Sequence, residues 1–282
     1  MKLVLFDIDG TLLNTGVSGI QSAKQAIKNL YGKMPPEPEL SAVAGKSDKH
    51  NFAYMYQSAL NKKATAKDLE AIKEEYVKLL SAEVAAQVKN KKYKVLTGLA
   101  SFLKELQKHS DVKLALGTGN VEEAAKIKLA PSGLDKVFVT GGFGWSSTER
   151  HIILQNAVKN AEKVFKTTFK ADDVYVIGDT HHDIIAAKEN GYHNAIVTEA
   201  ELGDKERILR AAAELECKDF TDIVLLSVWL GLAQDPKGVE KGSYIMPASA
   251  IEHVFFSRTG IDEQRLKMFK IKKYSDLESG KI

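Results

Sequence analysis

Two apolar runs, LVLF at residues 3–6 and VYVI at residues 174–177, constrain this chain more than any other feature. Neither alternates apolar with polar residues. Each therefore predicts a strand buried on both faces, as in a parallel sheet covered by helices. Each run also stops on acid: DIDGT follows the first at residues 7–11, and GDTHHD the second at residues 178–183. Taken alone, Asp7 and Asp9 beside Gly10 and Thr11 suit a turn at a strand end. Carboxylates at the edge of a core are nonetheless costly to desolvate, and the alternative is that these meet a cation.

Between the two runs the pattern changes twice. From about residue 16 to 92 the apolar residues keep helical spacing. Ile20, Ala23, Ile27 and Leu30 share one face. TAKDLEAIKEEYVKLLSAEV opens with Thr65 as N-cap and Asp68 at the third helical position, then sets Leu69, Ile72, Tyr76, Leu79 and Leu80 on one stripe. MPPEPEL, residues 34–40, breaks the helices apart. From residue 95 strand and helix alternate. A helix carrying Leu99, Phe102, Leu103 and Leu106 precedes the strand VKLALGT (112–118), and another helix leads to the strand KVFVTGG (136–142). TERHIILQNAVKNAEKVF (148–165) reads as a helix capped by Thr148, and NAIVTE (194–199) as the strand after the helix that follows DVYVIGDT.

The expectation is an α/β fold: a doubly wound, Rossmann-like parallel-sheet core interrupted just after its first strand by an all-helical block. The core takes residues 1–15 and 93–227, the helical block 16–92. Residues 228–282 form an extension of unassigned role, in which AQDPKGVEKGSY reads as a loop and PASAIEHVFF and DEQRLKMFKI as short helices.

Lys and Arg number 40 against 37 Asp and Glu, a net charge of +3, which is too balanced for nucleic acid or an anionic membrane to be the main partner. Cys217 is alone, so no intramolecular disulfide forms. No apolar segment approaches the roughly 20 residues of a membrane span. The first strand begins after two residues, leaving no room for a signal peptide, so a cytoplasmic protein is expected.

In open parallel sheets, ligands bind outside the carboxyl ends of the strands. The polar residues there are Asp7 and Asp9, Thr118 in LALGTGN, and Asp179 with Asp183 in GDTHHD; Arg150, in STERH at a helix start, can join them. Converging carboxylates repel unless a cation sits among them, and Mg²⁺, a hard ion wanting oxygen ligands, suits them.

This set resembles the phosphatase branch of the haloacid dehalogenase superfamily over about residues 1–226. DIDGT matches its first motif, LALGTGN its second and GDTHHD its fourth; the helical block matches its cap domain, and GGFG followed by Arg150 resembles members of the phosphoglycolate-phosphatase type. The resemblance implies a Mg²⁺-dependent phosphatase acting on a small phosphomonoester, phosphoglycolate or a sugar phosphate. Asp7 would be the nucleophile that becomes an aspartyl-phosphate, and Asp9 the acid and base for leaving group and water. Mg²⁺ would be held by Asp7, Asp179 and the backbone carbonyl of Asp9. Thr118 and the Gly119 N–H would hold phosphate oxygens. Arg150 would offset the charge of phosphoryl group and attacking carboxylate, and Asp183 would orient Arg150 or a water on the metal. In the cap, AGKSDKHNF (44–52) resembles a segment that lies over the active site, which makes Lys46, Ser47 and Asp48 substrate candidates; they equally suit a helix N-terminus with Ser47 or Asp48 as cap.

Other readings stay beside this one. A phosphomutase would share every core residue, and a binding protein could keep the fold without turnover. Asp9 argues against dehalogenation, because relatives that displace halide lack this second aspartate. His181 and His182 suggest a transition-metal site, but two polar residues in a helix's first turn explain them more simply. GTGNVE resembles a dinucleotide fingerprint, except that Glu122 stands where the third glycine belongs, and no GxxxxGK[ST] occurs. KNKKYK (89–94) reads as an exposed helix end. If Arg150 is not the cation, Lys159 is the nearby alternative.

Overall fold

A computed structural model describes residues 1–232. Along the chain run β1 (Lys2–Phe6), β2 (Leu13–Asn14), α1 (Ser18–Tyr31), α2 (Leu40–Val43), α3 (Asp48–Leu60), α4 (Ala66–Lys89), β3 (Lys94–Val95), α5 (Leu99–Gln107) and β4 (Val112–Thr118). They continue with α6 (Glu122–Leu129), β5 (Gly141–Phe143), α7 (Arg150–Phe165), β6 (Val174–Gly178), α8 (His181–Glu189), β7 (His193–Val197), α9 (Lys205–Ala211), β8 (Leu215–Cys217) and α10 (Ile223–Trp229).

Six strands form one sheet in the order β5-β4-β1-β6-β7-β8, every neighbouring pair parallel. β1 explains why its sequence has no polar positions. Val4 and Phe6 enter the cluster on one face of the sheet, with Leu99, Phe102, Leu106 and Trp229. Leu3 and Leu5 enter the other, with Leu154, Ala157 and Val176. Phe6 sits among aromatic rings, edge-on to Phe102 and Phe138 at centroid distances of 6.4 and 5.4 Å. Burying such a side chain contributes about 1.5–3 kcal/mol, so a polar residue on β1 would be expensive on either face.

The chain returns through the sheet on both sides of β1, with β4 on one flank and β6 on the other. The carboxyl ends of those three strands therefore open into one crevice. Leu13 and Asn14 pair antiparallel with Val95 and Lys94, a two-residue ribbon through which the chain leaves for α1–α4 and comes back. The four helices bury their own cluster, including Ile27, Phe52, Met55, Tyr56, Tyr76 and Leu80. Thr65 and Asp68 close the expected capping box at the start of α4.

Local expectations fail at three places. Of KVFVTGG only Gly141 and Gly142 enter a strand, β5, which ends at Phe143. The preceding residues run out of a 3₁₀ turn, and Val139 is exposed at the sheet's edge, where short strands are the rule. Thr148 does not cap α7: that helix begins at Arg150 with Glu149 before it and no side-chain cap, and Ser147 Oγ takes the Glu149 N–H. Leu30 leaves the buried stripe of α1 in its last turn and is exposed. Tyr31 packs there instead, edge-on to Tyr56 and donating to Asp68 at 2.9 Å. Trp229, Leu230 and Leu232 pack into the cluster beneath the sheet. The loop and two helices read from AQDPKGVEKGSY, PASAIEHVFF and DEQRLKMFKI lie outside the described residues.

Candidate active site

Asp7 follows the last residue of β1, Thr118 ends β4, and Asp179 follows β6. Because these strands are neighbours, three polar side chains separated by up to 172 positions meet at one edge. The turn after β1 brings in Asp9: the N–H groups of Thr11, Leu12 and Leu13 all converge on the Ile8 carbonyl. Gly10 makes that turn possible. Its φ is +81°, and a Cβ there would come within 2.6 Å of the Asp179 carboxyl carbon.

Arg150, the first residue of α7, reaches into the crevice from the side. Its Nη2 lies 2.9 Å from Asp7 Oδ2 and 2.5 Å from Asp183 Oδ1, and its Nε donates to the same Asp183 oxygen at 3.1 Å. Asp183 sits in the first turn of α8, where its other oxygen accepts from the N–H and hydroxyl of Thr180 at 3.1 and 2.9 Å. Both oxygens of Asp183 are thus engaged, one with Arg150 and the other with Thr180. Lys159, the alternative cation, is exposed on α7.

Asp7, Asp179 and Asp183 present oxygens within 4.8 Å of one another. Asp7 Oδ1 and both oxygens of Asp179 are buried and accept no hydrogen bond from any described residue. Burial holds the carboxyl pKa of Asp179 well above its ordinary value, and the neighbouring Asp183 and Asp7 charges push it the same way. Burial likewise raises Asp7, with Arg150 and the Thr118 hydroxyl pulling against it. Orphaned carboxylate oxygens of this kind fit a hard divalent cation, for which Asp7 and Asp179 are the available ligands. Three carboxylates facing one guanidinium also leave a formal charge of −2 when ionised, which such an ion would cancel.

Asp9 faces a different neighbourhood. Its Oδ2 accepts from Lys128 Nζ at 2.6 Å and Asn120 Nδ2 at 2.9 Å, and Thr15 donates to Oδ1 at 3.2 Å. Burial would raise its pKa, but the Lys128 ammonium and these hydrogen bonds outweigh it and hold the carboxyl below the ordinary value. Among the described residues, Asp9 is not in the cluster that Asp7, Asp179 and Asp183 form. Sequence reasoning missed Lys128 and Asn120. Asn120 Nδ2 also donates to Thr118 Oγ1, at 2.8 Å.

The loop before α3 lies directly on the crevice. Ser47 is the N-cap of α3 and accepts from the His50 N–H. The Asp48 N–H donates to the Gly119 carbonyl, and its Oδ2 accepts from the Val121 N–H, both at 2.8 Å. A side chain at Gly119 would collide with the Lys46 carbonyl, 2.5 Å from where its Cβ would sit. Together the two parts enclose a cleft of about 170 Å³, lined on the core side by Asp7, Asp9 and Asp179 and on the helical side by Lys46, Phe52 and Met55. Lys46 therefore lines the cleft, Ser47 serves as the cap, and Asp48 bonds the core. His181 and His182 lie in the first turn of α8 with rings 4.0 Å apart, and neither is in the cluster of Asp7, Asp179 and Asp183.

Residues 4–197 match the haloacid dehalogenase-like hydrolase family, and the chain belongs to it. The fold is shared with solved structures. CbbY from Rhodobacter sphaeroides, in complex with phosphate, superposes with a TM-score of 0.62 at 15% identity over 79% of this chain and 96% of that one. A predicted phosphoglycolate phosphatase from Haemophilus somnus gives 0.59 at 18% identity, covering 80% and 98%. A predicted phosphatase from Clostridium acetobutylicum gives 0.57 at 21%, covering 76% and 92%. No curated protein sequence matches the chain. Among the described residues, no helix is long and apolar enough to cross a membrane.

Proposed function

We propose that this chain is a phosphomonoester hydrolase that uses a divalent cation, Mg²⁺ by its oxygen donors, and works through an aspartyl-phosphate. The observation that carries the reading is the contrast between its paired aspartates. Asp7 keeps one oxygen without a partner among the described residues, beside the unpartnered oxygens of Asp179, whereas Asp9 is paired with Lys128. Environments that push two carboxyls apart assign them separate roles.

In this reading Asp7 attacks phosphorus, forming a Cγ–O–P linkage as the P–O bond to the alcohol breaks. Asp9 takes the proton that the substrate's phosphate carries and passes it to the departing oxygen. In the second half it removes a proton from the water that attacks the phosphoaspartate, releasing inorganic phosphate and restoring Asp7, and then loses that proton to solvent. Thr118 and the Gly119 N–H bind phosphoryl oxygens, and Arg150, held by Asp183, offsets the negative charge gathered where two anions meet. Asp7 and Asp179, with the Asp9 carbonyl, would hold the divalent cation, which would supply further charge neutralisation there. Lys46 has no ion pair among the described residues and hangs over the cleft, where it suits a carboxylate or hydroxyl of a small leaving group such as that of phosphoglycolate or a sugar phosphate. The partner implied is a small phosphorylated molecule.

The test is hydrolysis of a panel of phosphate esters, phosphoglycolate, sugar phosphates and p-nitrophenyl phosphate included, with Mg²⁺ and with excess chelator. Phosphate release that needs the metal is expected. Full activity in chelator, or none on any ester with Mg²⁺, would contradict the reading.

A further inference from the structure

Lys128 has no task in the chemistry above, yet it is among the most buried charges of the cleft, its side chain 5% exposed. It lies on the inward face of α6 with Ala124, Ala125 and Leu129, a place where an apolar residue would pack at no electrostatic cost. Its Nζ donates to Asp9 Oδ2 and to Asn120 Oδ1, both at 2.6 Å. Asn120 in turn donates to the same Asp9 oxygen at 2.9 Å. The three side chains close a triangle on one atom of Asp9. α6 itself is tied down where Tyr93 donates to the Lys128 carbonyl at 2.8 Å. Over the ammonium passes α1, close enough that a Cβ on Gly19 would stand 3.5 Å from Nζ.

A carboxylate needs such restraint here. Asp9 is about a third open to the cleft, 35%, and its χ2 is a broad torsion. A proton donor displaced by an ångström delivers poorly. We propose that Lys128 and Asn120 form a clamp that fixes the Asp9 carboxylate in the orientation from which it reaches the leaving-group oxygen, so that Lys128 is a positioning residue acting through Asp9. The proposal rests on the phosphatase reading and deepens it. It also implies that the ammonium does not bind substrate directly.

The experiment compares kcat/KM for an alkyl phosphate from the active panel and for p-nitrophenyl phosphate, in wild type, Lys128→Met, Asp9→Asn and the double variant. This ratio covers steps up to departure of the alcohol, and only the alkyl ester needs a proton there. Lys128→Met should lower kcat/KM for the alkyl ester about 10- to 100-fold and for the aryl ester only a few-fold. In the Asp9→Asn background the same change should add nothing. Equal losses on both esters, or a double variant that loses the product of the single losses, would overturn the clamp in favour of a structural or substrate-binding lysine. If Lys128→Met does not fold, Asn120→Ala breaks the triangle without removing a charge and should show the same alkyl-selective loss; an unselective loss there overturns the proposal too. Should the wild type release no phosphate from either ester, the phosphatase reading itself fails, which is a distinct result.

Discussion

Asp7 and Asp9 are two residues apart and chemically identical, yet they live in opposite fields. Around Asp7 stand two more buried carboxylates and a single guanidinium. Around Asp9 stand an ammonium, an amide N–H and a hydroxyl. The first carboxyl is pushed up, mainly by burial, and the second is held down despite it. The difference comes from which strand end or helix each faces: Asp7 looks towards β6 and α8, Asp9 towards α6. A DxD motif states that two acids are adjacent. Only the three-dimensional neighbours say that one half is short of positive charge and the other already has it.

The sharpest way to break this comparison is to neutralise each aspartate in turn. Asp7→Asn should cost on the order of 10⁵-fold or more in turnover, the scale on which a covalent nucleophile is lost. Asp9→Asn should cost about 10²–10⁴-fold, the worth of a positioned acid and base. Stability in excess chelator should move in opposite directions. Asp7→Asn relieves repulsion among buried carboxylates and should raise the urea midpoint, whereas Asp9→Asn strands Lys128 and should lower it. Midpoints that shift the same way in both variants would show that the two halves are not electrostatically distinct.

Next in size is Arg150, the lone cation of the Asp7 half among the described residues. Arg150→Ala should lose about 10²–10³-fold in kcat and about 3 kcal/mol of stability in chelator, because Asp183 and Asp7 are left buried and unpaired. Mg²⁺ should recover part of the stability, since it binds the folded state alone. Arg150→Lys should recover part of the activity, restoring a charge without the fork that spans Asp183 and Asp7. Near-normal activity and stability in Arg150→Ala would remove the arginine from the site.

How much of this the sequence disclosed depends on how local the signal was. Wholly apolar strands at 3–6 and 174–177 announced a sheet covered on both faces, and the acids that stop them marked the crevice. The box between Thr65 and Asp68 needed only three residues of context. Lys128 was hidden for a physical reason. In VEEAAKIKLA it shares a stripe with Val121, Ala124, Ala125 and Leu129, so the anomaly of a charge on a buried face was present. But a lysine stem commonly packs there while its head reaches water, and the partner that holds this head inside is 119 residues away. β5 was misjudged because KVFVTGG has strand-forming residues, and an edge strand's length is set by what pairs with it. Only Leu116, Gly117 and Thr118 do so.

The smallest expected effect concerns Asp48, which stands between the two halves and ties the helical part to the core. Burial raises its pKa to about 6, against the pull of Lys128 and of the Val121 N–H, with Asp9 and Asp7 pushing it further up. A carboxyl raised from its unfolded value near 3.9 favours the fold fully only below that value. Its contribution is lost as pH climbs through about 6. Between pH 5 and 7.5 that loss is on the order of 1 kcal/mol at most, because the side chain is half-buried and water screens it. Asp48→Asn keeps an acceptor for the Val121 N–H and cannot ionise. Its stability relative to wild type, from urea midpoints in chelator, should therefore improve as pH rises from 5 to 7.5. If the gap between the two proteins stays constant over that range, Asp48 already belongs electrostatically to the Lys128 side, and the divide between the halves runs beyond it rather than through it.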